Sequence, residues 1–133
     1  MKVIILFAAC IICSYAFAQD NSEASFSKNL EKEIRKNQRI LDKEPNNEQA
    51  IYNIGMAYYK RFELFTALKF FDRLIELNPQ YNGAFSNRGI IKLFLKDTPG
   101  ACNDFKKSIA AGSDLSVIDG KKLSEYLETS CDK

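Results

Sequence analysis

Apolar and polar positions along the chain follow the period of α-helices, with short polar breaks between the periodic segments. Within Ser25–Lys43 the residues Phe26, Leu30, Ile34 and Leu41 have a roughly helical spacing, which predicts an amphipathic helix. Further helices are predicted over Asn47–Lys60 and Leu115–Thr129. Between them, Asn78-Pro79 marks a helix end, and Thr98-Pro99 marks a helix start with Thr98 as the N-cap. The pattern therefore predicts an all-α chain.

The first eighteen residues have the pattern of a secretory signal peptide. Lys2 supplies a positive start, and Val3–Cys13 is an almost unbroken apolar run. Ala16-Phe17-Ala18 then offers the small-x-small pattern that signal peptidase recognises, so cleavage is expected before Gln19. The mature chain would have about 115 residues.

Two alternatives to cleavage exist for this segment, an uncleaved anchor and a lipid attached at Cys10 or Cys13. The stretch from Val3 to Ala18 is short for a hydrocarbon core of about 30 Å. We therefore expect export to the periplasm or outside the cell, without stable membrane insertion after cleavage. The predicted organisation is a signal peptide over 1–18, a flexible segment over 19–24 and one folded domain over 25–131.

Composition argues against several functions. The 133 residues carry 19 Lys and Arg against 17 Asp and Glu, whereas nucleic-acid binding usually requires a clearly basic domain. The chain has no histidine, the commonest general base and metal ligand. Neither a nucleophile beside a base nor a glycine-rich phosphate loop is apparent. We expect a protein that is not an enzyme and that holds no cofactor and no metal.

An internal repeat is the most informative feature of the sequence. The spacing Ile51-x-x-Ile54-Gly55-x-x-Tyr58 is followed by Ala67-x-x-x-Phe71 and Pro79, and much of it recurs with a period of about 34 residues. Coincident pairs are Pro45/Pro79, Ala50/Ala84, Ile51/Phe85, Asn53/Asn87, Gly55/Gly89, Ala67/Ala101 and Phe71/Phe105.

This repeat resembles the tetratricopeptide (TPR) motif, whose helix pairs stack into a solenoid. The resemblance implies a short α-solenoid with an N-terminal helix or degenerate repeat, two full repeats and a C-terminal capping helix. Their expected ranges are 25–45, 46–79, 80–113 and 114–131. Gly55 is expected to let the paired helix approach closely. In the second repeat Arg88 and Lys92 replace apolar residues, and we expect the Arg88 stem to pack while its head reaches solvent.

The TPR resemblance also implies a peptide-binding concave face, formed by the first helix of each repeat. Some TPR domains bind a peptide's C-terminal carboxylate with a clamp of basic and amide side chains, but such a clamp is not expected here. Asn53 and Asn87 could instead make hydrogen bonds within the protein. Leu93 and Phe94 could instead pack within the protein. The candidate partner-binding residues are Gln49, Tyr52, Asn53, Met56, Tyr59 and Lys60 in the first repeat, and Ser86, Asn87, Ile90, Leu93 and Phe94 in the second.

Cys102 and Cys131 are the two cysteines that remain after signal cleavage. An even pair in an oxidising compartment favours one disulfide, and antiparallel packing of the last two helices would bring the pair together. The segment Gly100–Gly112 with a late cysteine is similar to exported TPR-like proteins of Bacteroidetes-type bacteria, in which such a pair recurs. A redox couple is the alternative, although no CxxC spacing supports it.

Taken together, the sequence predicts a non-catalytic interaction scaffold of the cell envelope with a protein or peptide partner. The alternatives are a self-associating structural subunit of an envelope assembly and, less favoured, a small envelope enzyme.

Overall fold

The computed structural model describes the backbone of residues 2–112, 117–118 and 121–131, and the side chains of 22–112, 122 and 124–131. Five helices form the body of the molecule, and each packs against the next along the chain. They are α1 (Lys2–Leu41), α2 (Glu48–Lys60), α3 (Leu64–Leu77), α4 (Ala84–Phe94) and α5 (Thr98–Ala110). The predicted all-α solenoid of helix pairs is confirmed.

Side chains and turn geometry set where these helices begin. Asn47 caps α2, because its Oδ1 accepts from the Ala50 amide at 3.0 Å. Asp97 caps α5 in the same way, with Oδ1 2.9 Å from the Gly100 amide. The prediction of Thr98 as this cap was therefore wrong by one residue, because the carboxylate of Asp97 accepts the amide hydrogen bond instead.

Helix α1 is longer than the sequence pattern indicated. It runs unbroken through residues 19–24, where a flexible segment was expected. Because neither glycine nor proline occurs between Gln19 and Ala24, nothing in the local sequence stops a helix there. The predicted signal peptide falls on residues whose side chains lie outside the described part. Among the described residues, no helix is long and apolar enough to cross a membrane.

The C-terminal half of α1 shares a buried position with α3 at the repeat period. Leu30, one repeat period before the buried Leu64 of α3, is itself buried. The positions that α3 fills with Ala67 and Phe70 are polar in α1, where they are Glu33 and Lys36. Polar residues at these positions need no further helix to cover them, so this half of α1 is suited to ending the solenoid.

Two glycines set the distance within each helix pair. Gly55 of α2 faces the fully buried Phe71 of α3, and Gly89 of α4 faces the fully buried Phe105 of α5. A methyl group on Gly55 would lie 3.1 Å from Cε2 of Phe71, and one on Gly89 would lie 2.3 Å from Cε1 of Phe105. Both contacts match the close approach expected from the repeat, and the second pair is the tighter.

Gly89→Ala is therefore expected to lower the free energy of unfolding by about 2 kcal/mol, because the added methyl group overlaps the ring of the fully buried Phe105. Gly55→Ala is expected to stay within about 1 kcal/mol of the wild type, since its milder overlap is offset by the higher helix propensity of alanine. Urea denaturation of the two variants measures both values. Equal effects would contradict the difference in packing.

The C-terminal segment differs in part from the predicted helix over Leu115–Thr129. Strands β1 (Val117–Ile118) and β2 (Lys121–Lys122) pair antiparallel, and helix α6 (Leu123–Tyr126) continues into a π-helical turn over Leu127–Cys131. Residues 113–116 and 119–120 lie outside the described part. A helix over the first half was the wrong prediction, because the β-branched pair at 117–118 followed by Asp-Gly is a hairpin signal.

This segment still covers the end of the second repeat. Leu127 is buried with Ala101 and Phe105, and the Tyr126 ring meets the Phe105 ring edge-on at 5.7 Å between centroids. The structure joins Cys131 to Cys102 on α5, with 5.7 Å between their Cα atoms. The last turn is thereby attached to α5 both by apolar contacts and covalently.

Candidate protein-interaction face

The candidate residues of α2 lie along one side of that helix. Gln49 and Lys60 are exposed near its two ends. Between them Tyr52, Met56 and Tyr59 are half-buried, because one side of each packs on the core of the first helix pair. Such residues form a surface whose side chains are held in place before any partner binds.

A chain of amides fixes α1 to this helix. Gln49 Nε2 donates to Asn53 Oδ1 at 2.9 Å, and Asn53 Nδ2 donates to Asn37 Oδ1 at 3.1 Å. Asn37 is buried and donates in turn to the Glu33 carbonyl at 2.9 Å. The sequence allowed either a structural role or partner binding for Asn53. Its hydrogen bonds to Gln49 and Asn37 give it a structural role.

Tyr52 joins the two repeats. Its ring meets the Phe71 ring edge-on at 5.9 Å, and its hydroxyl accepts from Asn87 Nδ2 at 3.3 Å. The same Asn87 nitrogen donates to the Gly83 carbonyl at 2.8 Å. Asn87 is thus engaged within the protein, so it has the structural role that the sequence offered as one alternative.

Tyr81 extends the face toward the start of α4. Its ring lies 5.4 Å from the Tyr52 ring, and its hydroxyl donates to Gln49 Oε1 at 3.1 Å. Burial, the neighbouring Tyr52 and the charge of Glu48 raise the pKa of Tyr81 above its ordinary value. The phenol therefore stays neutral and keeps its hydrogen-bonding proton through the physiological range.

The candidates on α4 divide into packed and exposed residues. Ser86 is buried, and its hydroxyl donates to the Gly83 carbonyl at 3.2 Å, so it belongs to the core and not to the face. Ile90 and Leu93 are half-buried against the C-terminal core around Leu127. Phe94, in contrast, is 48% exposed. The sequence left undecided whether Leu93 and Phe94 pack within the protein. Leu93 does so with one side, whereas Phe94 is largely at the surface.

Phe94 is part of an aromatic cluster that the sequence did not reveal. Its ring lies 6.1 Å from the Tyr59 ring and 5.4 Å, edge-on, from the Phe62 ring. Phe62 is 65% exposed and has a φ of 61°. That left-handed conformation is uncommon for any residue but glycine, asparagine and aspartate. The signal was available, because a bulky apolar residue stands in the turn where the second repeat has Lys96.

A buried ion cluster occupies the second repeat away from this face. Asp104 is fully buried and accepts from Arg88 Nε at 2.8 Å and from Arg88 Nη2 at 2.6 Å. Lys92 Nζ lies 2.8 Å from the same carboxylate, and Arg88 Nη1 donates to Asp72 at 2.7 Å. The expectation that the Arg88 head reaches solvent was therefore wrong, because two carboxylates hold it inside.

Opposing effects act on the Arg88 guanidinium. Burial lowers its pKa, but hydrogen bonds and charge from Asp104, and then from Asp72, outweigh burial and raise the pKa above the ordinary value. Arg88 is therefore a permanent cation. Its bidentate pairing with Asp104 serves the packing of α4 on α5.

The first repeat has apolar residues at the three equivalent positions. Tyr58 and Phe70 stack there with ring centroids 5.7 Å apart, and Ile54 is fully buried beside them. The second repeat has charged residues at all three positions, and its two cations both pair with its one carboxylate. This set is Ile54, Tyr58 and Phe70 in the first repeat and Arg88, Lys92 and Asp104 in the second.

Comparison with known proteins agrees with this architecture. The structure is similar to the crystal structure of YrrB, described as a TPR protein with an unusual peptide-binding site, with a TM-score of 0.58 and 23% identity. The similarity covers 63% of this chain and 43% of YrrB. The fold is TPR-like.

Comparison with curated protein sequences gives a partial match. The chain is 29% identical over 69 residues to the putative cargo-transport protein ypp1 of Schizosaccharomyces pombe. The match covers 52% of this chain but only 8% of that protein. No protein-family model matches the chain. Among the described residues, no group of three or more His, Cys, Asp or Glu side chains could hold a metal ion.

Proposed function

We propose that the protein is an exported, non-catalytic scaffold of the cell envelope that binds a peptide or protein segment on the face formed by α2 and α4. One observation supports this proposal most strongly. On a TPR-like fold, Tyr52, Met56 and Tyr59 each pack one side on the core and leave the other side partly exposed to solvent. YrrB, which shares that fold, is described as having a peptide-binding site.

The chemistry of the face suits an extended or helical segment. Tyr52, Met56 and Tyr59 offer apolar surface with little side-chain entropy left to lose, because each already packs on the core. Gln49 and Lys60 add exposed polar groups near the two ends of α2. Apolar anchors with polar groups at the edge are the usual composition of a peptide groove.

Met56→Arg is expected to weaken peptide binding by about tenfold or more, because it places a long charged side chain in the middle of the apolar face. The assay is fluorescence polarisation with a labelled peptide selected against the full chain from a random library. Lys69→Glu on α3 is the control, since this exposed lysine lies outside the face. Equal affinity for Met56→Arg and the wild type would place the binding site elsewhere.

Export is tested separately from binding. Cleavage before Gln19 and pairing of Cys102 with Cys131 are both part of the proposal, because an oxidising compartment favours the disulfide. N-terminal sequencing of the protein recovered from envelope fractions is expected to begin at Gln19. Recovery of chains that begin at Met1, from the cytoplasmic fraction alone, would contradict export.

A further inference from the structure

Two phenylalanine rings of the interaction face, those of Phe62 and Phe94, are exposed to solvent, and Phe62 has a strained backbone conformation. Phe62 is 65% exposed and Phe94 is 48% exposed, and the two rings meet edge-on at 5.4 Å next to Tyr59. The φ of 61° at Phe62 would suit glycine or asparagine far better. Neither the turn nor the core requires a phenylalanine at this position, and a polar residue would serve folding as well or better. The ring therefore points to a role outside folding.

Each of these phenylalanines has a lysine two residues away along the chain. Lys60 and Phe94 occupy equivalent positions in the two repeats, and so do Phe62 and Lys96, so each repeat contributes one ring and one lysine in opposite order. Lys96 also shares the left-handed conformation of Phe62, with a φ of 66°. We name the set of Tyr59, Phe62, Phe94, Lys60 and Lys96 the aromatic–lysine patch.

The aromatic–lysine patch carries two positive charges, on Lys60 and Lys96. Lys60 and Lys96 form no ion pair with any residue in the described part of the chain. The neighbouring Arg61 is already paired with Glu63 at 2.8 Å, and the carboxylate of Asp97 accepts from the Gly100 amide and pairs with neither lysine. A ligand with two separated carboxylates would complement the two free lysines.

We propose that the aromatic–lysine patch binds an acidic peptide segment in which an aromatic or aliphatic side chain is flanked on both sides by carboxylates. The apolar side chain would pack on the rings of Phe62 and Phe94, and the carboxylates would meet Lys60 and Lys96. This inference rests on the proposed function and names the chemistry of its partner.

A peptide fits the patch better than a membrane surface does. The ring of Phe94 packs on both the Phe62 ring and the Tyr59 ring, so the patch continues the face of α2 and α4 as one surface. Phe65, at 72% the most exposed of the phenylalanines whose side chains the structure describes, makes no ring contact with any described aromatic side chain and is not part of the patch. Membrane binding would be expected to use Phe65 at least as much as Phe62.

The test uses the full chain and a short labelled peptide with a central phenylalanine and glutamates on either side. Matched peptides replace the glutamates with lysines or the phenylalanine with alanine. We expect the acidic peptide to bind at least about tenfold more tightly than either. Phe62→Asn is expected to weaken binding about tenfold while leaving the melting temperature equal or higher, because asparagine accepts the left-handed conformation. Phe65→Asn is the control and should bind as the wild type does.

A charge reversal tests the electrostatic part. The double variant Lys60→Glu/Lys96→Glu is expected to prefer the basic peptide over the acidic one, whereas Lys69→Glu should keep the wild-type preference. An unchanged preference in the double variant would overturn the proposal, as would unchanged affinity in Phe62→Asn. Binding to phosphatidylglycerol vesicles that competes with the peptide and needs Phe65 would assign the surface to lipid instead.

Failure of this inference can be told apart from failure of the proposed function. If Met56→Arg abolishes binding of a library-selected peptide while Phe62→Asn and the charge reversal do not, the face binds a partner of different chemistry and only the inference fails. If no selected peptide binds the wild-type chain, both fail.

Discussion

Asp104→Asn is expected to lower the free energy of unfolding by about 3 to 5 kcal/mol, one of the two largest effects of any change considered. The substitution keeps the size of the side chain but removes the charge that neutralises Arg88 and Lys92 inside the second repeat. Arg88 would then keep only the half-exposed Asp72, and Lys92 would lose the carboxylate with which it pairs. Urea denaturation at neutral pH measures the loss. Asp72→Asn is the control, and its loss should be about 1 kcal/mol or less because solvent screens that pair.

The packing at this cluster can also be tested by replacing its three charged residues with the residues that stand at the equivalent positions of the first repeat. The triple variant Arg88→Ile/Lys92→Tyr/Asp104→Phe copies the apolar set at the equivalent positions. Replacing a buried ion cluster with packed apolar residues is often neutral or stabilising, so this variant should recover the wild-type stability or exceed it. A triple variant as unstable as Asp104→Asn would show that the two repeats do not share this packing geometry.

Cys102→Ala/Cys131→Ala is expected to lower the free energy of unfolding by about 3 to 4 kcal/mol. The bond closes an interval of 29 residues, and its loss frees the unfolded chain and loosens the last turn from α5. Reducing agent should destabilise the wild type by a similar amount and leave the double variant unchanged. Equal stability of the oxidised wild type and the double variant would mean that the apolar contacts of Leu127 and Tyr126 alone hold this segment.

Much of the fold could be predicted from the repeat period. The period sets the helix pairs, and it placed Gly55 and Gly89 at the two close approaches because only a residue without a side chain fits there. It could not predict the hairpin at 117–118 and 121–122, where a short local turn signal outweighs the helical spacing of Leu115–Thr129.

The candidate site was less predictable, because the helical period shows which side of a helix a residue occupies and not what covers it. Ser86 lies on the expected side yet is buried. Phe62 escaped notice because it lies in a turn, outside any helical pattern. From the sequence, Arg88 and Lys92 were recognised as departures from the repeat, but Asp104 was not connected with them. Only the structure shows that Asp104 lies against Arg88 and Lys92.

The central claim is that the side of the molecule formed by α2 and α4 is the partner-binding surface. The most direct measurement is an NMR titration of the isotope-labelled chain with a peptide selected from a random library. We predict that the largest amide shifts occur at Met56, Tyr59, Phe62 and Phe94, with small shifts along the exposed side of α3. Shifts concentrated on α3 and α5, with α2 unaffected, would contradict the claim.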